Sequence, residues 1–183
     1  MRALEVGEAF AGDGPDAAHV NTLLGPADGP VGAAWAGALA TPRAGHVPFV
    51  CVLRPDLPVR PFTLFVNKAT LAGPRHERLT WGAAQAGVAA GVTDALAEGV
   101  LSPEIALAGL CIAAVWVDPE AADDEAVFTN NRRATRLALA RGRAGDPALD
   151  AVLAARAHPH NPYFNPPGAP APSGGRQSQS SSV

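Results

Sequence analysis

Three segments place a polar residue where its neighbours are apolar: His19 in AAHVNTLL, Lys68 in FVNKATL and Gln85 in WGAAQAGV. An imidazole titrates near ~6.5, so it suits proton transfer near neutral pH. Asn21 follows His19 by two residues, and on a strand the two share a face. Lysine within an apolar strand lies either at an exposed sheet edge or in a polar cleft, because burying an unpaired ammonium is expensive. Both placements stay open for Lys68. Thr70 adds a hydroxyl on the same strand face. Plainer roles exist for each. A lone histidine on a half-buried strand is more often structural or exposed, and a buried amide such as Gln85 often satisfies backbone groups at a helix–sheet contact. Together a histidine, a lysine, a threonine and an amide suit a polar small molecule without naming it. No P-loop, GxGxxG, GxSxG or HExxH motif is present. His46, His76, His158 and His160 read as loop or tail residues. The HPH of the tail lacks the further ligands a metal site needs.

The elements that must carry these residues follow from periodicity and punctuation. A first strand is expected over Ala3 to Ala11, then a turn at Gly12 to Pro15. A second strand spans Ala17 to Leu24, with His19, Asn21 and Leu23 on one face and Val20, Thr22 and Leu24 on the other. Asp28 and Pro30 form a cap-and-first-turn pair for a helix through AAWAGALA. Val47 to Leu53 reads as a buried strand, and Phe62 to Leu71 as another that puts Lys68 and Thr70 on the face of Leu64 and Val66. A long helix starts near Thr80, with Trp81, Gln85, Val88, Val92 and Leu96 as one stripe, and ends at Gly99. Ile105 to Val117 contains a strand. Asp118 and Pro119 open a further helix, and a short one runs from Pro147 to about Ala157 behind Asp146. The order β-β-α-β-β-α-β-α predicts an α/β (α+β, two-layer) domain with helices packed on a mixed sheet.

At 183 residues the chain fits one domain. Hydrophobic residues make up 48%, enough for a core. The reading assigns residues 1–157 to the folded domain and 158–183, rich in Pro, Gly, Ser and Gln, to a mobile tail. A net charge of −3 and a pI near 5.9 give no general attraction to nucleic acid or anionic membrane. Arg132, Arg133, Arg136, Arg141 and Arg143 cluster, and a solvated helix face is favoured over a phosphate-binding patch. Cys51 and Cys111 lie in apolar strands and read as free, buried thiols, with no metal spacing. The opening residues carry no apolar signal core. The longest apolar run, Ala108 to Val117, is far short of the ~20 residues of a membrane span. The expected location is cytoplasmic.

With these residues placed, the segment GEAFAGDGPDAAHVNTLLG resembles the opening of the formaldehyde-activating enzymes. The likeness continues through GPVGAAWAGALA, RPDLPVRPFTLFVNKATL, WGAAQAGVAAGVTDALAEGV and PEAADDEAVFTNNRRATRLALARGRAGDP, covering about Val6 to Pro147. The resemblance implies a fold of ribosomal-protein type and a homopentamer with sites between subunits. It implies condensation of formaldehyde with tetrahydromethanopterin to give the methylene pterin and water, a carbon–nitrogen lyase activity. It requires no metal and no permanently bound cofactor; the reduced pterin is a co-substrate. It places the proton-donating histidine at His19 and pterin contacts at Lys68, Thr70 and Gln85, with Val50 where the family has a leucine. Four positions depart from the family pattern: Asn21 stands for an aspartate, Asp118 for a histidine, and Asn130 and Arg132 for tyrosines.

The residue types fit that reaction. A pterin nitrogen attacks formaldehyde, and the carbinolamine formed needs an acid to expel hydroxide as water. A carboxylate nearby would stabilise the iminium that follows, and Asn21 carries no charge to do so. Orientation of two substrates by Lys68, Thr70 and Gln85 is itself worth several kcal/mol in such a condensation. The main alternative is a non-catalytic carrier or sensor of a pterin or aldehyde adduct that keeps the pocket; Asn21 favours it. A nucleic-acid role on a ribosomal-type fold is disfavoured by the acidic balance.

Overall fold

The computed structural model describes residues 2–161 and 164. The chain divides into two compact units between Asp146 and Pro147, and every residue singled out above as a site candidate lies in the first. The tail expected over 158–183 lies outside the described residues, apart from 158–161 and 164.

A hairpin opens the first unit: β1 (Glu5–Ala11) and β2 (Ala18–Pro26). Both alternate buried and accessible residues, as one-sided strands must. Gly12 and Gly14 take positive φ in the turn between them. Then come α1 (Pro30–Ala40), β3 (Phe49–Val50), the small ribbon β4 (Val52–Arg54) and β5 (Leu57–Pro58), and β6 (Phe62–Asn67). A helical run follows as α2 (Pro74–Arg78), a π-helical segment (Leu79–Ala84) and α3 (Gln85–Ala97). The unit closes with α4 (Pro103–Ala108), β7 (Gly109–Trp116) and α5 (Asp124–Ala144). The second unit holds α6 (Leu149–Ala155).

The main sheet has the order β1-β2-β7-β6-β3. It is mixed, because β6 and β7 run parallel while the other pairs are antiparallel. One face of β2 (Ala18, Val20, Leu24) joins Val88, Val92, Ala134 and Ala138 in the large core under α3 and α5. The other face carries a smaller cluster in which Val31 and Trp35 of α1 cover Leu23, Leu64 and Ile112. The expected class, a mixed α/β domain with helices on a sheet, holds.

Gly87 and Gly91 explain how closely α3 meets α5. A Cβ on Gly87 would sit 2.4 Å from the Phe128 carbonyl oxygen, and one on Gly91 2.4 Å from that of Arg132. The clustered arginines tie α5 to its neighbours. Arg132 makes a paired contact with Asp94 (2.6 and 2.8 Å), Arg136 meets Glu98 at 3.0 Å, and Arg143 pairs with the buried Glu5. Those three guanidinium groups are occupied structurally, in line with the solvated-face reading.

Several expected boundaries move. The strand expected over Val47 to Leu53 is split into β3 and β4, which lie in different sheets. Strand β6 ends at Asn67, not Leu71, because the Asn67 amide donates to the carbonyls of Gly45 and Ala69 and turns the chain. The long helix starts at Pro74 rather than Thr80, and Trp81 lies exposed instead of in the buried stripe. Helix α1 has no side-chain cap from Asp28; Gly29 precedes it. Asp118 accepts from the Glu120 N–H in a turn, and α5 begins later, behind Asp123, whose carboxylate accepts from Glu125 and Ala126. Helix α6 starts at Leu149 without a cap from Asp146.

Candidate active site

Strand register sets the site. On the α1 side of the sheet, successive rows of side chains cross the strands. One row runs Phe10, His19, Trp116 and, one residue beyond β6, Lys68. The Lys68 N–H donates to the Val115 carbonyl at 2.8 Å, so the pairing extends to it although the strand has formally ended. The next row is Glu8, Asn21, Ala114 and Val66, and the third is Val6, Leu23, Ile112, Leu64 and Val50. Helix α1 covers Leu23, Ile112 and Leu64 of the third row, leaves Val6 exposed at the sheet edge, and leaves the first row accessible.

At that accessible end Lys68, His19 and Glu8 meet, with the Arg141 guanidinium 4.0 Å from the far carboxylate oxygen of Glu8. Lys68 Nζ is 3.3 Å from His19 Nδ1 and 3.4 Å from the His19 carbonyl oxygen. His19 Nε2 is 3.1 Å from Glu8 Oε1, an ion pair whenever the imidazole is protonated. Phe10 stacks on the imidazole at 3.8 Å between ring centres, with the planes 9° apart. The ring is therefore held from one flank by an aromatic and bracketed by a carboxylate and an amine.

Burial lowers the pKa of His19 first, the Lys68 ammonium lowers it further, and Glu8 opposes both. Burial also brings Lys68 down to about 8, with Glu8 again opposing. A half-buried lysine of this kind holds a usable fraction of free amine near neutral pH.

The remaining expected site residues are placed less simply. Asn21 shares the face of His19 and lies opposite Glu8. Thr70 does not continue β6; it leaves the strand, and its hydroxyl lies 3.1 Å from His46 Nε2, whose Nδ1 meets the Asn67 carbonyl. Val50 sits three strands and two rows from His19, on the order of 15–20 Å away by strand spacing and rise. Gln85 belongs to the opposite layer: it is buried, and its Oε1 accepts from the Val52 N–H at 2.6 Å. The structure thus brings together His19, Asn21 and Lys68, and leaves Val50 and Gln85 apart from them.

Glu8 and Phe10 were not singled out from the sequence. Their signal was the alternation of EVGEAFA, which places both on the face opposite Ala9. His76, read as a loop residue, is instead buried in α2. Its Nδ1 accepts from the Ala72 N–H and its Nε2 meets the Val117 carbonyl, so both nitrogens are used structurally. Cys51 and Cys111 are free and buried as expected. Burial raises both thiols, Cys111 to about 12. Among the described residues no group of three or more His, Cys, Asp or Glu side chains is arranged to hold a metal ion.

Fold and site together define a small α/β domain with a carboxylate–imidazole–amine cluster at the open end of its sheet, suited to acid–base work. The chain belongs to the formaldehyde-activating enzyme family, whose model matches residues 6–164. It is 40% identical over 158 residues to the 5,6,7,8-tetrahydromethanopterin hydro-lyase of Methanosarcina barkeri, covering 86% of this chain and 89% of that protein. It is 41% identical over 148 residues to the bifunctional enzyme Fae/Hps of Methanococcoides burtonii, and 37% identical over 158 residues to that of Archaeoglobus fulgidus. Those matches cover 81% and 86% of this chain, and span only 37% and 40% of the two longer proteins.

Proposed function

We propose that this protein condenses formaldehyde with a reduced pterin of the tetrahydromethanopterin type, giving the methylene pterin and water. The carrying observation is the Glu8–His19–Lys68 cluster at the accessible end of the sheet, in a chain of this family. His19 delivers a proton to the hydroxyl that leaves as water. Glu8, across the hairpin from Asn21, supplies the negative charge that Asn21 lacks and stabilises the cationic carbon that results. No permanently bound cofactor enters this scheme, and the pterin is a substrate.

We place the complete site between copies of the chain, in a ring of five. Supporting this, Val50 and Gln85 lie away from His19 within one copy, and Val6 and Phe10 leave apolar surface beside the row, 54% and 45% exposed. A monomeric mass by light scattering at micromolar concentration would refute the assembly. A cytoplasmic location is in keeping with two free, buried cysteines. Among the described residues no helix is long and apolar enough to cross a membrane.

The test is a purified-protein assay with formaldehyde and, side by side, tetrahydromethanopterin and tetrahydrofolate. Acceleration over the spontaneous reaction is expected with the first; no acceleration with either sinks the proposal. Asn21 keeps one second reading in play, a carrier that binds the adduct without turnover. Asn21→Asp bears on the two: it raises condensation in an enzyme weakened by the missing charge, and does nothing for one retuned to another carrier or to binding alone.

A further inference from the structure

Lys68 is the only lysine in the sequence; every other residue among the fourteen Lys and Arg is arginine. Guanidinium groups stay protonated and do not act as amine nucleophiles. Both cysteines are buried, with thiols raised by that burial. Lys68 is therefore the one side-chain amine available to an aldehyde, and it sits against the histidine that moves protons.

We propose that Lys68 captures formaldehyde covalently and hands the one-carbon unit to the pterin. This rests on the reading above that the site takes both substrates. Three features of the geometry carry it. The amine lies 3.3 Å from His19 Nδ1, within reach of a base that can free its lone pair. The base is positioned by a third group, Glu8, and by the stacked Phe10. The row lies at the uncovered end of the sheet, where a small carbonyl can enter. A nucleophile beside a base that a third group orients is the arrangement of covalent catalysis, and lysine is its usual form with carbonyl substrates.

The steps balance. His19 takes a proton from the Lys68 ammonium. The freed lone pair bonds to the formaldehyde carbon, the carbonyl π pair moves to oxygen, and one proton passes from nitrogen to that oxygen, leaving Nζ–CH2–OH. Protonated His19 returns its proton to the hydroxyl, the C–O bond breaks, and water departs from a lysine iminium. A pterin nitrogen bonds to the iminium carbon, and its proton moves to Nζ. The C–Nζ bond then breaks, regenerating the lysine amine, and the second pterin nitrogen closes the ring with loss of a proton. No oxidant or reductant is consumed.

The experiment is reductive trapping. The full chain is mixed with formaldehyde and cyanoborohydride, quenched at short times and analysed by intact mass and peptide mapping. The chain's own N-terminal amine is the internal reference: its ordinary pKa is ~7.7–8.0, close to the value of about 8 at Lys68, so both offer a similar fraction of free amine. Expected is methylation of Lys68 about tenfold or more faster than the reference, slowed to the reference rate in His19→Ala and drained by added tetrahydromethanopterin. Lys68→Arg keeps a positive charge for positioning, yet should lose about a hundredfold or more of condensation. Labelling of Lys68 no faster than the reference overturns the inference, as does a Lys68→Arg variant that condenses at the wild-type rate. The wild-type labelling decides the matter even where a variant folds badly. Fast labelling of Lys68 without condensation onto either pterin leaves the capture standing and removes the proposed function; condensation without labelling does the reverse.

Discussion

Beneath α3 and α5, strand β2 presents Ala18, Val20, Thr22 and Leu24, all buried. Its opposite face presents His19, Asn21 and Leu23, all partly accessible, and α1 covers only the Leu23 end. The same nine residues thus serve two environments. On the closed face identity is set by volume, because interiors are packed to near-crystalline density and each missing methylene is felt. On the open face identity is set by charge and reach. There a histidine is held between a carboxylate and an amine, and apolar surface at Val6 and Phe10 is left accessible. Substitutions on the two faces should therefore separate activity from stability.

The largest effect belongs to the open face. His19→Ala should slow condensation by about 10²–10⁴-fold, the usual span for a general acid, with an unchanged melting temperature. Loss of fold instead of rate would mean that the histidine is structural and the two faces are not independent. Phe65, wholly buried on the closed side, gives the converse. Phe65→Ala should cost about 3–5 kcal/mol in denaturant unfolding, while the fraction that stays folded keeps its turnover. Glu8→Gln comes next. Removing the carboxylate withdraws the influence that favours protonated His19. The expected result is roughly a tenfold loss of kcat and a rate optimum shifted to lower pH, with Glu8→Asp restoring part of the rate. An unshifted optimum would leave Glu8 as a bystander.

The smallest effect is thermodynamic. The folded pKa of Lys68 lies at about 8, below its ordinary 10.5, so between those values this side chain binds more of a proton in the unfolded chain than in the native one. The lysine's own contribution to wild-type stability should then rise with pH across that window, while the two buried thiols act in the opposite sense in wild type and variant alike. Lys68→Met lacks this rise: its stability relative to wild type should be greatest below about pH 8 and fall toward pH 10.5. A constant offset in thermal melts across that range would show that the ammonium is not held against its preference.

Much of this was legible in the residues themselves. The alternation of AHVNTLL separates the two faces of β2, and it put His19 beside Asn21 before any fold was known. Lys68 could be narrowed to an edge or a cleft by the cost of burying its charge. Glu8 and Phe10 were not found, because their alignment with Asn21 and His19 depends on hairpin register, which the six residues of the turn do not reveal. Thr70 was misplaced because the end of β6 is decided by the Asn67 amide bonding to Gly45, a contact remote in sequence. His76 was misread because its polar neighbours Arg75, Glu77 and Arg78 hide a buried position at a helix start marked only by Gly73 and Pro74. Asp118–Pro119 and Asp123 are both good helix openers, and local preference could not choose between them.

Glu8, Phe10, His19 and Asn21 all belong to one hairpin, whereas Lys68 is 49 residues from His19 and arrives only when β6 pairs with β7 around the intervening helices. Local hairpins close quickly, and parallel pairing across a long crossover is slow because its loop entropy must be overcome first. During folding the imidazole should thus find its aromatic and carboxylate neighbours early, with the lysine joining them late. A newly made chain should therefore hold its one side-chain amine apart from the His19 imidazole until the topology is complete.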